Sequence, residues 1–170
     1  MSRNVPFLAH ENVIISGNKV VVSDAQKMRL TLTTSIPFFR ADCKIATFSV
    51  KFNKKDKKTA IGFSAVQPPA DTYLIPDYYS GNQYISMGGA GFIYPMRTSA
   101  SKGYKEGDLI TVKLDFTEGT IAFSVNGVQV STCRWPANSS DQPILSAYPF
   151  ISAEGGLLEM EVEALNENTP

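Results

Sequence analysis

Glu159, Glu161 and Glu163 alternate with Met160 and Val162 towards the end of the sequence, a pattern that could do acid-base chemistry. Carboxylates two residues apart on an extended strand lie on one face, roughly 6.5 Å from each other. That is near the separation at which two acids cooperate in glycosidic cleavage. Any strand with one solvated face gives the same alternation, and this one has few aromatic residues near it and no central Asp. We therefore read it as a charged outer strand that resists edge pairing, and expect no enzymatic activity. The single His10 has no evident partner, and neither a P-loop nor a Gly-x-Ser-x-Gly elbow occurs. Gly88-Gly89-Ala90-Gly91 has the composition of a phosphate loop, but no helical pattern follows it to supply amides, so a glycine-rich strand connection is expected. Lys51, Lys54, Lys55, Lys57 and Lys58 surround Asp56 without an aromatic platform between Asn53 and Thr59, which fits a solvated hairpin tip.

Recognition chemistry is better represented. The longest irregular stretch, Gln67 to Asn82, contains Tyr73, Tyr78 and Tyr79, and Asp77, Ser80, Gly81 and Asn82 flank the last two. Rigid aromatic area beside adaptable polar groups is what binding hot spots favour. The bland alternative is that these tyrosines cover the core beneath a long loop. Trp135, the only tryptophan, is either a core plug or an exposed anchor.

Sixteen basic and sixteen acidic side chains leave no net field to steer the chain towards nucleic acid or an acidic membrane surface. No stretch approaches the ~20 apolar residues of a spanning helix, and no secretory signal is visible, so an intracellular, cytoplasmic protein is expected, with the nucleus left open. Cys43 and Cys133 lack metal-ligand spacing and are read as reduced thiols. No cofactor or metal is implied. The length suits one domain, with a core from about residue 12 to 165, and a monomer is the simplest expectation.

The elements that must position these residues are strands. Ile110, Val112 and Leu114 alternate with Thr111, Lys113 and Asp115, then Ile121, Phe123 and Val125 with Ala122 and Ser124, around a turn at Phe116-Thr117-Glu118-Gly119. The same period runs through Met28 to Leu32, Phe48 to Phe52 and Met160 to Ala164, with shorter candidates between. No segment carries a helical apolar stripe. Ten or more short strands divided by Gly and Pro give an all-β sandwich of two antiparallel sheets.

The segment Tyr104-Lys105-Glu106-Gly107-Asp108, followed by Leu114-Asp115 and by Gly119 through Val125-Asn126-Gly127, resembles the second half of a SPRY (B30.2-like) domain. Ile144 to Ser152 is similar to that family's Leu-Tyr-Pro strand, Ala46 to Phe52 to its early Tyr-Phe-Glu-Val strand, and Ile61 to Ser64 to the strand after it. Ser49 stands in place of the family's Glu, and Tyr84 to Gly88 in place of its Trp element, which marks a divergent member. The resemblance spans about Val13 to Val162. It implies a concanavalin A-like jelly roll and a non-catalytic adaptor that binds a short peptide of a partner protein through rim loops. By position the rim would comprise the tyrosine loop with Asp77, Tyr78 and Tyr79, the segment Ile36 to Arg40, with Ile36, Pro37, Phe38 and Arg40 as its candidate contacts, and Ser152, Ala153 and Glu154; Trp135 is added to these candidates as an exposed anchor. A carbohydrate-binding lectin-like sandwich is the alternative, and a glycoside hydrolase using the C-terminal glutamates is a third reading.

Overall fold

The computed structural model describes residues 2–4, 7–8, 13–22, 29–55, 58–68, 84–94, 98–135, 143–155 and 157–167. Among them run fifteen strands: β1 (Ser2–Asn4), β2 (Val13–Ser16), β3 (Lys19–Val22), β4 (Arg29–Thr33), β5 (Phe38–Phe39), β6 (Ile45–Lys55), β7 (Lys58–Ser64), β8 (Tyr84–Gly88), β9 (Phe92–Tyr94), β10 (Thr98–Ser99), β11 (Leu109–Asp115), β12 (Thr120–Val125), β13 (Val128–Arg134), β14 (Ser146–Glu154) and β15 (Leu158–Glu167). The described residues contain no helix. Their strands form two sheets, ordered β13-β12-β11-β6-β15-β3-β2 with β1 also on β15, and β10-β9-β8-β7-β14-β4 with β5 on the start of β14. Neighbouring strands are antiparallel throughout.

Period-two alternation decides which side chains meet between the sheets. Phe48, Val50 and Phe52 of β6, Val112 and Leu114 of β11 and Met160 and Val162 of β15 face Ile61 and Phe63 of β7, Ile85 and Met87 of β8 and Ile151 of β14 in one buried cluster. Phe63 lies at its centre, edge-on to Phe48 at 5.1 Å and to Phe38 at 6.2 Å. Each such ring or branched chain contributes about 1.5–3 kcal/mol by leaving water. Gly62 is required by close approach, because a Cβ there would collide with the Ile85 carbonyl of the adjacent strand.

The Tyr-x-x-Gly-Asp and Asn-Gly motifs turn out to be fastenings. Tyr104 is buried, stacks on Phe52 at 5.4 Å, and shares its hydroxyl with Thr59 Oγ1 (2.9 Å) and the carbonyls of Thr59 (3.1 Å) and Met87 (3.2 Å). Gly107 takes φ +89°, and its N–H donates to the Phe52 carbonyl. Asp108 accepts from the Lys105 amide at one oxygen (3.0 Å) and from Asn126 Nδ2 at the other (2.8 Å), while Asn126 Oδ1 accepts from the Leu109 amide (2.9 Å). The hydrogen bond from Asn126 is the main reason the Asp108 carboxyl is held below its ordinary range. At the other turn, Asp115 Oδ1 accepts from the amides of Thr117 and Glu118, both at 2.9 Å, as a turn aspartate should.

Two sequence expectations need correction. β15 lies between β6 on one side and β3 and β1 on the other, so its glutamates do not guard an edge. The alternation marks the solvent face of a central strand instead. The lysine-rich stretch is not a hairpin tip either, because β6 and β7 belong to different sheets and the chain crosses between them there.

Candidate functional site

One end of the sandwich gathers apolar side chains that the core does not take. β5 pairs with the first residues of β14, placing Phe39 opposite Ser146 and Phe38 opposite Ala147. The Arg40 amide extends this pairing by donating to the Leu145 carbonyl at 2.9 Å. Beyond Phe39 the chain turns back, with the amides of Asp42 and Cys43 donating to the Phe39 carbonyl. Ser64 of β7 lies opposite both Tyr148 and Tyr84, so the chain entering and leaving the tyrosine-bearing stretch does so at this same end. Gln67 Nε2 donates to the Thr34 carbonyl at 3.0 Å, and Thr34 Oγ1 to the Ile36 carbonyl at 2.7 Å, tying the start of that stretch to the segment before β5.

On this frame Ile36 and Leu145 are each 66% exposed, Val66 46% and Phe39 43%. Four large apolar side chains at one end of one sheet, with exposed Arg40 and Asp42 beside them, form an amphipathic rim. The rim is anchored by backbone hydrogen bonds, so its side chains are presented from a fixed base. Contact with another apolar surface would recover burial that the fold leaves unused.

The structure sorts the expected site residues. Ile36, Pro37 and Arg40 lie on the rim, with Pro37 half-buried. Phe38 is 4% exposed and points into the core against Phe63, so the exposed ring of that pair is its neighbour Phe39. Strand alternation separates the two phenylalanines, a distinction that the positional analogy, spanning Ile36 to Arg40 as a whole, does not make. Trp135 is 1% exposed and its amide donates to the Gly119 carbonyl, which makes it a core plug and removes it as an exposed anchor. Ser152 is fully buried with its hydroxyl 2.6 Å from Thr31 Oγ1, and half-buried Glu154 lies opposite Lys58 and Arg29. Both sit seven or more residues along β14 from Leu145, roughly 23 Å or more away, and do not join the rim. Asp77, Tyr78 and Tyr79 lie outside the described residues. Val66 and Leu145 were not singled out by sequence, since isolated aliphatic residues beside strands read as core.

The other chemical candidates are arranged as ordinary surface. Glu161 stands opposite Lys51 on one neighbouring strand and Lys19 on the other, and Glu159 opposite Lys54. Interleaved opposite charge across strands is a stabilising solvent-face pattern. Gly88 to Gly91 form a turn closed by the Gly91 amide on the Gly88 carbonyl, and the Tyr104 amide occupies the Gly89 carbonyl. Lys55 lies over the Tyr104 ring at 5.6 Å, and burial lowers its pKa. Cys43 and Cys133 are not joined in a disulfide, and burial pushes Cys133 up to about 11, away from thiolate chemistry. Among the described residues no group of His, Cys, Asp or Glu has metal-site geometry.

No protein-family model matches the chain, and no curated protein does either. Solved structures do. The SPRY domain of human HERC1 superposes with a TM-score of 0.64 at 15% identity, covering 94% of this chain and 96% of that one. The TRIM65 PSpry domain follows with a TM-score of 0.63 at 14% identity, over 94% of this chain and 90% of its own. The carbohydrate recognition domain of Emp47p gives 0.58 at 14% identity, over 97% and 91%. The chain therefore has the two-sheet sandwich fold of SPRY domains, the fold its motifs imply. SPRY domains and carbohydrate recognition domains share that architecture.

Proposed function

We propose that this chain is a non-catalytic interaction module, acting as one domain, that holds a short peptide segment of a partner protein against the rim formed by Ile36, Phe39, Arg40, Val66 and Leu145. The observation that carries this reading is the concentration of exposed Ile36, Phe39, Val66 and Leu145 at the end where the tyrosine-bearing stretch is rooted. Apolar anchors supply affinity, and the Arg40 guanidinium selects a carboxylate on the guest. A guest with one bulky apolar side chain next to an acidic one matches this chemistry. Similarity in fold to SPRY domains supports the class of ligand.

Panning a displayed peptide library on the protein tests the reading, with a glycan array run in parallel. Enriched peptides should carry an apolar residue beside an acidic one, lose binding to Leu145→Asp and Phe39→Asp, and lose the acidic preference with Arg40→Gln. Glycan binding without any enriched peptide would instead support a lectin. Release of new reducing ends from β-glucan, lost in Glu161→Gln, would overturn the non-catalytic assignment.

A further inference from the structure

Asn126-Gly127 forms the turn between β12 and β13 at the end of the sandwich opposite the rim, and Asn126 (φ +51°) is the one non-glycine described residue in the left-handed region. We propose that Asn126 is a deamidation site that the folded hairpin holds shut through Asp108, and whose reaction product cannot rebuild the fastening. Glycine after asparagine leaves the following amide nitrogen unshielded. That nitrogen can attack the side-chain carbonyl carbon, forming a five-membered imide and expelling the side-chain nitrogen as ammonia. Water then opens the imide at either carbonyl, leaving aspartate or isoaspartate.

The native geometry opposes the first step. Asn126 Nδ2 is committed to Asp108 Oδ1 at 2.8 Å and Oδ1 to the Leu109 amide at 2.9 Å, while the Asn126 amide donates to the Leu109 carbonyl at 2.8 Å. Bringing the Gly127 nitrogen onto the side-chain carbon requires the Asn126 side chain to leave these partners. Asn126 is exposed, so water meets the site whenever the turn opens. After reaction the donor that faced Asp108 has become a carboxylate, and two anions meet where an amide and an anion met before. The isoaspartate product also inserts an extra carbon into a two-residue turn whose register is fixed by Val125 opposite Val128. Asp108 further connects to the core, because its carbonyl accepts from the Phe52 amide. Loss of the fastening therefore loosens the end at which Phe52 and Tyr104 stack.

Incubation of the full chain at neutral pH and physiological temperature, followed by peptide mapping that separates asparagine, aspartate and isoaspartate, tests the gate. Conversion at Asn126 should be slower in the folded protein than in denaturant, and several-fold faster in Asp108→Ala than in the parent. Asn126→Asp should melt at a lower temperature. Combining it with Asp108→Asn should restore much of the loss, because the new asparagine donates to the carboxylate at 126 and still accepts from the Lys105 amide. An Asp108→Ala rate equal to the parent's, or an Asn126→Asp protein that melts with the parent and gains nothing from the second change, would overturn the proposal. The reciprocal pair remains decisive if Asp108→Ala does not fold. Peptide capture at the rim is a separate readout, untouched by either result.

Discussion

The two ends of the sandwich solve opposite problems. At the Asp108 end the carboxylate, the Asn126 amide and the Tyr104 hydroxyl are all committed to partners. At the rim end the backbone is equally well tied, yet Ile36, Phe39, Val66 and Leu145 keep large apolar area in water. The first end spends its polar groups on holding itself together and exposes Leu109 and Val128 beside them, whereas the second clusters four exposed apolar side chains whose burial is left to be completed from outside. The polar motifs that make the sequence recognisable therefore mark structure, and the residues suited to binding are chemically plain.

Substitutions at buried and rim positions should separate stability from binding. The largest effect is expected from Trp135→Ala, which empties a buried site and should lower unfolding free energy by about 3–5 kcal/mol in chemical denaturation. Peptide affinity of the fraction that remains folded should not change. A stable Trp135→Ala protein that no longer binds would return the indole to the ligand site. Tyr104→Phe keeps the ring stacked on Phe52 and removes only the hydroxyl, leaving the Thr59 and Met87 carbonyls short of a donor. It should cost about 1–3 kcal/mol, again without effect at the rim. Ile36→Ser and Leu145→Ser remove side chains that are two-thirds exposed, and each should shift stability by no more than ~0.5 kcal/mol while weakening peptide capture.

The residues explain which parts of this were legible from sequence. Alternation in β11 and β12 and the turn at Phe116 to Gly119 were readable because local geometry there agrees with the global fold. Gly107, at positive φ before a strand, and Asp115, which accepts from two turn amides, hold positions that their residue types favour. Sheet membership was not local information. Whether Lys54 to Lys58 was a hairpin or a crossover, and whether β15 was an edge or a centre, depended on pairings remote in sequence, such as Lys58 opposite Glu154 and Val162 opposite Val50. The site was only partly visible for the same reason. Ile36 and Arg40 were placed by their position before β6, whereas Leu145 reaches the rim only because β14 pairs with β5. Ser152 and Glu154 belong to the correct strand, but the strand runs away from the rim.

The most direct measurement is the backbone amide spectrum of the isotope-labelled protein titrated with an apolar-acidic peptide selected on it. Saturable shifts are expected to concentrate at Ile36, Phe39, Arg40, Val66 and Leu145, with the amides around Asp108 and Asn126 unmoved. Shifts centred on Glu159 to Glu163, or spread around Asp108 and Asn126 with the rim silent, would rule out the rim as the binding surface.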